Sequence, residues 1–133
     1  MRVAVPSEVK NNEFRVAITP AGVHELVVAG HEVFVQAGAG VGSSITDSEY
    51  QSAGAKILPD AKSTWQAGDM VLKVKEPIEQ EYGFLREGLL LFTYLHLAAD
   101  LKLTKELVAK KVTAIAYETC LLYTSPSPRD QRG

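Results

Sequence analysis

Short apolar runs alternate with amphipathic stretches along nearly the whole chain, and this alternation limits the fold more than any single motif does. The runs at residues 2–5, 32–36, 55–58, 69–75, 88–95 and 112–117 read as strands, and the stretches at 20–29, 46–53, 60–67, 79–86 and 100–111 read as helices. Strand–helix alternation of this kind packs as an α/β domain, an open, mostly parallel sheet with helices on both faces. The run 88–95 is apolar on both sides, as a strand inside such a sheet must be.

Local signals punctuate the pattern. Thr19 before Pro20 predicts a helix N-terminus, with Val23, Leu26 and Val27 on its apolar face and Gly30 at its end. Val33 and Val35 lie on one side of the second strand. Thr46 and Glu49 have the spacing of a capping box, Ile45 and Tyr50 that of a hydrophobic staple, and Gly54 stops the helix they open. Asp60 predicts the next cap. Lys110 and Lys111 are expected in the last turn of the 100–111 helix, where the helix dipole favours cations.

The chain's 133 residues suffice for one domain. Fourteen basic and 16 acidic residues leave a net charge of −2, which argues against an electrostatically driven binder of nucleic acid or of an anionic membrane surface. The apolar run 89–95 falls far short of the ~20 residues a membrane helix needs. The N-terminus shows no signal core. A single cysteine, Cys120, excludes an internal disulfide and a cysteine-based zinc site, and a reducing, cytoplasmic setting is expected.

In open parallel sheets, ligands bind outside the carboxyl ends of the strands. The expected strand ends deliver Arg15, Lys75, His96 and Glu118 toward one edge. Arg15 is either a solvated loop residue or a guanidinium fork for a carboxylate. Lys73 and Lys75 share one face of a strand; one is read as solvated, and Lys75, at the strand exit before Glu76-Pro77, as a donor to a substrate carbonyl or carboxylate. His96 is either held by backbone or a general acid/base titrating near working pH. Glu118 either pairs with a lysine or binds ligand. His24 and His31 read as solvated, Trp65 as packing. Gly38-Ala39-Gly40-Val41-Gly42 follows a strand and imitates a dinucleotide loop, but the third glycine of that fingerprint is missing and the helix start is delayed to Thr46.

Pro6-Ser7-Glu8, the run from Asn11 through Arg15-Val16-Ala17 to Pro20, Gln36-Ala37-Gly38-Ala39-Gly40, Lys73-Val74-Lys75-Glu76-Pro77 and Phe92-Thr93-Tyr94-Leu95-His96-Leu97-Ala98 together resemble the N-terminal domain of the alanine dehydrogenase family. The resemblance runs from Met1 to Thr119. Tyr94-Leu95-His96 and Tyr117-Glu118-Thr119 favour the dehydrogenases over the related proton-translocating transhydrogenases, whose domain I is the alternative reading; a stand-alone, non-catalytic binding module is another.

The resemblance implies a flavodoxin-like fold of the formate/glycerate dehydrogenase catalytic-domain type. It implies Arg15 and Lys75 as substrate-binding residues and His96 as the catalytic histidine in reversible oxidation of L-alanine to pyruvate and ammonia with NAD. Glu13 and Tyr94 adjoin these motifs without an assigned role. It also implies that the NAD-binding domain follows this segment, that residues 1–119 are an incomplete substrate domain inactive alone, and that the full-length protein is a homo-oligomer acting on a small molecule, without nucleic-acid or membrane partners. Residues 120–133 resemble a translated reading frame of a transposon-end sequencing adapter and are expected to be a disordered, non-native tail.

Overall fold

The computed structural model describes residues 1–9, 15–75, 77–93, 101–116 and 122–123. In chain order these form β1 (Arg2–Val5), α1 (Pro20–Val28), β2 (Glu32–Gln36), a 3-10 turn (Val41–Ser43), α2 (Asp47–Ala53), β3 (Lys56–Leu58), α3 (Ala61–Ala67), β4 (Met70–Leu72), a 3-10 segment (Glu79–Phe84), β5 (Leu90–Thr93), α4 (Leu101–Ala109), β6 (Thr113–Ala116) and β7 (Leu122–Tyr123). The strands make one sheet in the order β3-β2-β1-β4-β5-β6-β7. Every pairing from β3 to β6 is parallel. Strand order therefore reverses between β1 and β4, and the crevice outside their carboxyl ends is the place where such sheets bind ligands.

The two-residue period of the strands builds a core on each face. Val5, Val33 and Val35 point to one side and pack with Val23 of α1 and Tyr50 of α2. Ala4, Val71, Leu91 and Ala114 point to the other, against Trp65 of α3, Tyr82, Leu85 and Leu107 of α4. Each fully buried valine or leucine contributes roughly 1.5–3 kcal/mol. Trp65 is fully buried and stacks on Phe84 at 5.7 Å between ring centroids, the packing role expected of it.

The caps are those the sequence indicates. The Thr19 hydroxyl accepts from the Gly22 amide, Thr46 and Glu49 exchange bonds as a capping box, and Asp60 accepts from the Ser63 amide. Ser63 accordingly holds the Asp60 carboxyl below its ordinary range. Gly54 closes α2 at φ +113°, a conformation that carries no steric cost only for glycine.

Four expectations need correction. β4 ends at Leu72 rather than at 75, because Lys73 turns into a buried cluster of charges. The segment after Pro77 is a 3-10 helix, Glu79–Phe84, whose Glu81 side chain reaches back to the Ile78 amide. Helix α4 stops at Ala109, so Lys110 and Lys111 follow it; Lys111 takes φ +57°, the closing conformation usually left to glycine, and the Lys110 ammonium caps the Tyr82 carbonyl at 2.7 Å. Within the tail expected to lack structure, Leu122–Tyr123 pairs antiparallel with Ala114 and Ile115 of β6. That pairing covers a strand edge whose amides and carbonyls would otherwise lack partners.

Candidate functional site at the strand-order reversal

The loop leaving β1 and the segment leaving β4 meet at the reversal. Arg15, Val16, Ala17 and Thr19 line a cavity of about 310 Å³ there, with Ser43 and Ile45 from the loop after β2 and Val74 from the exit of β4. Ile18, within the same loop, is tied down by the buried Tyr50, whose hydroxyl donates to the Ile18 carbonyl at 2.7 Å. Burial, then Asp47 and Glu49, push the Tyr50 phenol up to about 12, so it remains a donor across the physiological range.

Arg15 thus stands at the cavity, on the carboxyl side of β1. Lys75 is half-buried and directly follows Val74 on the carboxyl side of β4. The two expected substrate ligands therefore lie in the loops that follow adjacent parallel strands, on the carboxyl side of both. His96, Glu118, Glu13 and Tyr94 lie outside the described residues. His24 is exposed, and His31 is half-buried with its Nδ1 3.3 Å from the N-terminal amine.

Beneath the cavity's β4 side lies a set of charges that the strand pattern does not reveal. Lys73, expected to share a face with Lys75 as a strand neighbour, is only 1% exposed. Its ammonium sits 3.2 Å from Glu8 Oε1 and 3.1 Å from Glu81 Oε2. The Glu8 carboxylate also accepts from the Val74 amide at 2.8 Å through Oε2 and from the Lys75 amide at 3.1 Å through Oε1. Burial raises the Glu81 carboxyl above its usual range, against the pull of Lys73. The sequence does hold one signal for this cluster: a lysine directly following the apolar run Met70–Leu72 requires a counter-charge if that run is buried on both faces. Only the fold identifies Glu8, some 65 residues away, as one of its partners.

The glycine loop after β2 does not fit a nucleotide. A Cβ on Gly40 would lie 2.8 Å from Tyr50 Cε2 and 2.9 Å from the Ile45 carbonyl oxygen, so this glycine serves close packing within the protein. The Gly38 amide donates to the Asp47 carboxylate at 2.9 Å, and Glu49 takes the Thr46 amide. The first amide of the loop is thus occupied by a carboxylate, whose charge would repel a pyrophosphate at that point. Among the described residues, no group of three or more His, Cys, Asp or Glu is arranged to hold a metal ion. No described helix is long and apolar enough to cross a membrane.

Residues 4–125 match the family described as "Alanine dehydrogenase/PNT, N-terminal domain". The chain is 57% identical over 122 residues to an alanine dehydrogenase of Methanococcus maripaludis, covering 92% of this chain and 33% of that protein. It is 59% identical over 119 residues to one from Mycobacterium tuberculosis, covering 90% of this chain and 32% of the relative. A solved L-alanine dehydrogenase superposes with a TM-score of 0.87 at 50% identity, over 90% of this chain and 33% of that one. A transhydrogenase from Sinorhizobium meliloti superposes with a TM-score of 0.80 at 33% identity, over 89% of this chain and 34% of that one. The chain spans about a third of the length of these relatives. With a parallel α/β sheet, helices on both faces and a family match over nearly its whole length, the chain belongs to the alanine dehydrogenase/PNT N-terminal domain family.

Proposed function

We propose that this segment is the substrate-binding domain of an NAD-dependent L-alanine dehydrogenase, which in full-length form converts L-alanine, NAD⁺ and water to pyruvate, ammonium, NADH and a proton. The observation that carries this reading is the position of Arg15 at the cavity outside the β1–β4 reversal, with Lys75 next to Val74 where the segment leaving β4 lines that cavity. A guanidinium fork at Arg15 would grip the substrate carboxylate in two bonds. The Lys75 ammonium would donate to the oxygen developing on the α-carbon and stabilise negative charge there. His96, from the family resemblance, would move the protons of the water step.

The glycine loop after β2 does not fit a dinucleotide, so NAD is assigned to the part of the full-length protein beyond this segment, and no step is derived through it. Homo-oligomeric assembly and a cytoplasmic setting of the full-length form belong to the same reading and rest on the family resemblance. From β3 to β6 the strand order is the 3-2-1-4-5-6 order of Rossmann-type doubly wound sheets, and the flavodoxin-like 2-1-3-4-5 order is contained in it once the edge strands β3 and β7 are set aside, so the finer fold name rests on the family resemblance. The transhydrogenase likeness supports a second reading as a transhydrogenase first domain; the 50% identity to the solved alanine dehydrogenase, against 33% to the transhydrogenase, favours the first.

NADH absorbance with alanine and NAD tests the proposal. The 133-residue chain alone is expected to show no turnover. The full-length protein is expected to turn over, and Arg15→Ala in it to raise KM for alanine and pyruvate while leaving KM for the nucleotide within twofold. Alanine-independent hydride exchange between nucleotides, with no alanine oxidation, would favour the transhydrogenase reading instead.

A further inference from the structure

We propose that Glu8 is a positioning residue for Lys75, setting the backbone from which the substrate-binding ammonium projects; this rests on the substrate reading of Lys75 given above. The pairing registered between β1 and β4 runs only from Val3↔Met70 to Ala4↔Val71. Beyond it the β4 exit turns away, and the amides of Val74 and Lys75 leave the ladder. Glu8, three residues past the end of β1, reaches across and takes one amide on each carboxylate oxygen, at 2.8 and 3.1 Å. A single side chain thereby replaces the strand partner at the point where Lys75 departs. Two bonds to consecutive amides fix the intervening peptide in both direction and rotation, which one bond does not.

The charges around Glu8 fit this purpose. Its side chain is 2% exposed. A buried carboxylate is costly unless it is paired and fully hydrogen-bonded. Lys73 supplies the pairing, and Glu81, which also accepts the Ile78 amide, anchors Lys73 from the far side at 3.1 Å. Amides at a solvated strand exit can bond to water without such an arrangement. A buried, counter-charged carboxylate serves instead where the exit must hold one geometry. The residue that gains from it is Lys75, because Val74 beside it lines the cavity that Arg15 also lines.

Glu8→Gln is the informative variant. It leaves the Lys73–Glu81 pair intact and charge-balanced, but it turns one acceptor into an amide donor facing another N–H. The measurements use the full-length protein carrying this segment, in the direction of pyruvate, ammonium and NADH. Glu8→Gln is expected to lower kcat/KM for pyruvate by about 10–100-fold, the scale of a misplacement near 1 Å, with KM for NADH within twofold. In a Lys75→Ala background, Glu8→Gln is expected to change kcat/KM by less than twofold, because the group it positions is gone. A merely structural role would lower the melting temperature and add the same loss in both backgrounds. Should Glu8→Gln not fold, Glu8→Asp keeps the charge while withdrawing it by one methylene, and carries the same readout. A loss undiminished in the Lys75→Ala background, or a pyruvate KM and kcat/KM within twofold of wild type in the single variant, overturns the inference alone. A Lys75→Ala enzyme with unchanged pyruvate kinetics overturns the substrate reading, and this inference with it.

Discussion

Replacing Lys73 with methionine tests the energetics of the buried cluster directly. Methionine has nearly the length of the lysine stem and fits the same channel, so the change removes charge with little loss of packing. Two carboxylates then remain, with side chains 2% and 4% exposed, each still bonded to backbone amides but without the cation that lay 3.1–3.2 Å from both. Breaking a buried ion pair by deleting one partner costs about 3–5 kcal/mol. Against a total stability of roughly 5–15 kcal/mol, that is a large fraction. For a domain of this size it lowers Tm by on the order of 10 °C or more. The deficit depends on pH with a definite sign. Burial already raises the Glu81 carboxyl, and Lys73 opposes that rise; without Lys73 it rises further. A group whose folded pKa is raised contributes its full stability below its unfolded value and loses it as pH increases through the folded value. Lys73→Met therefore recovers part of its deficit as pH falls from 8 toward 5, by protonating Glu81. Lys73→Met/Glu81→Leu, with one buried charge fewer, is expected to be more stable than the single variant at pH 8. Urea denaturation followed by circular dichroism at pH 5, 6.5 and 8 measures all three chains. A Lys73→Met loss below about 1 kcal/mol, on the scale of a surface ion pair, or a deficit constant over that range, would refute the reasoning.

Tyr50→Phe leaves the Ile18 carbonyl without its 2.7 Å donor and is expected to cost ~1–3 kcal/mol in thermal unfolding. It should also abolish a fall in wild-type stability between pH 10 and about 12, where the unfolded phenol ionises and the folded one does not; equal slopes in the two chains over that range would contradict the assignment. Gly40→Ala places a methyl group 2.8–2.9 Å from Tyr50 and the Ile45 carbonyl and is expected to destabilise by ~1–3 kcal/mol, read from the urea midpoint. In the full-length protein, His96→Ala is expected to depress turnover by roughly 10²–10⁴, read as NADH formation, and unchanged turnover would remove the histidine from the proposed chemistry.

The elements that follow from local chemistry were legible before any coordinates. β1, β2 and the starts of α1, α2 and α3 stand where the apolar period and the capping residues Thr19, Thr46 and Asp60 place them. So does the carboxyl-edge placement of Arg15 and Lys75, since it needs only parallel strands. Legibility fails where a residue answers to a distant partner. Lys73 and Lys75 are the same residue type two positions apart, and only the long-range contact with Glu8 separates a buried counter-ion from a candidate ligand. Glu8 itself reads as an ordinary polar loop residue. Lys111 at positive φ carries no local signature, and the short β7 depends on an edge that the rest of the sheet creates. His96 and Glu118 lie outside the described residues; the role of His96 rests on the resemblance, and Glu118 keeps its two readings, pairing with a lysine or binding ligand.

The central position of β1 has a consequence for the order in which the molecule is completed. Residues 1–58 contain β1, β2, β3, α1 and α2 and own most of one core, so they can condense while one edge of β1 is still open. That edge closes only when β4 arrives, across a loop of some 65 residues whose closure carries an entropic cost with no local compensation. Arg15 belongs to the early half, Lys75 to the late one, and the Glu8–Lys73 contact spans the seam between them. During synthesis the edge that carries Arg15 and Lys75 therefore has no partial form. It comes into being in one event, with the docking of β4, and the same event neutralises the Glu8 carboxylate that an unfinished chain leaves open to solvent.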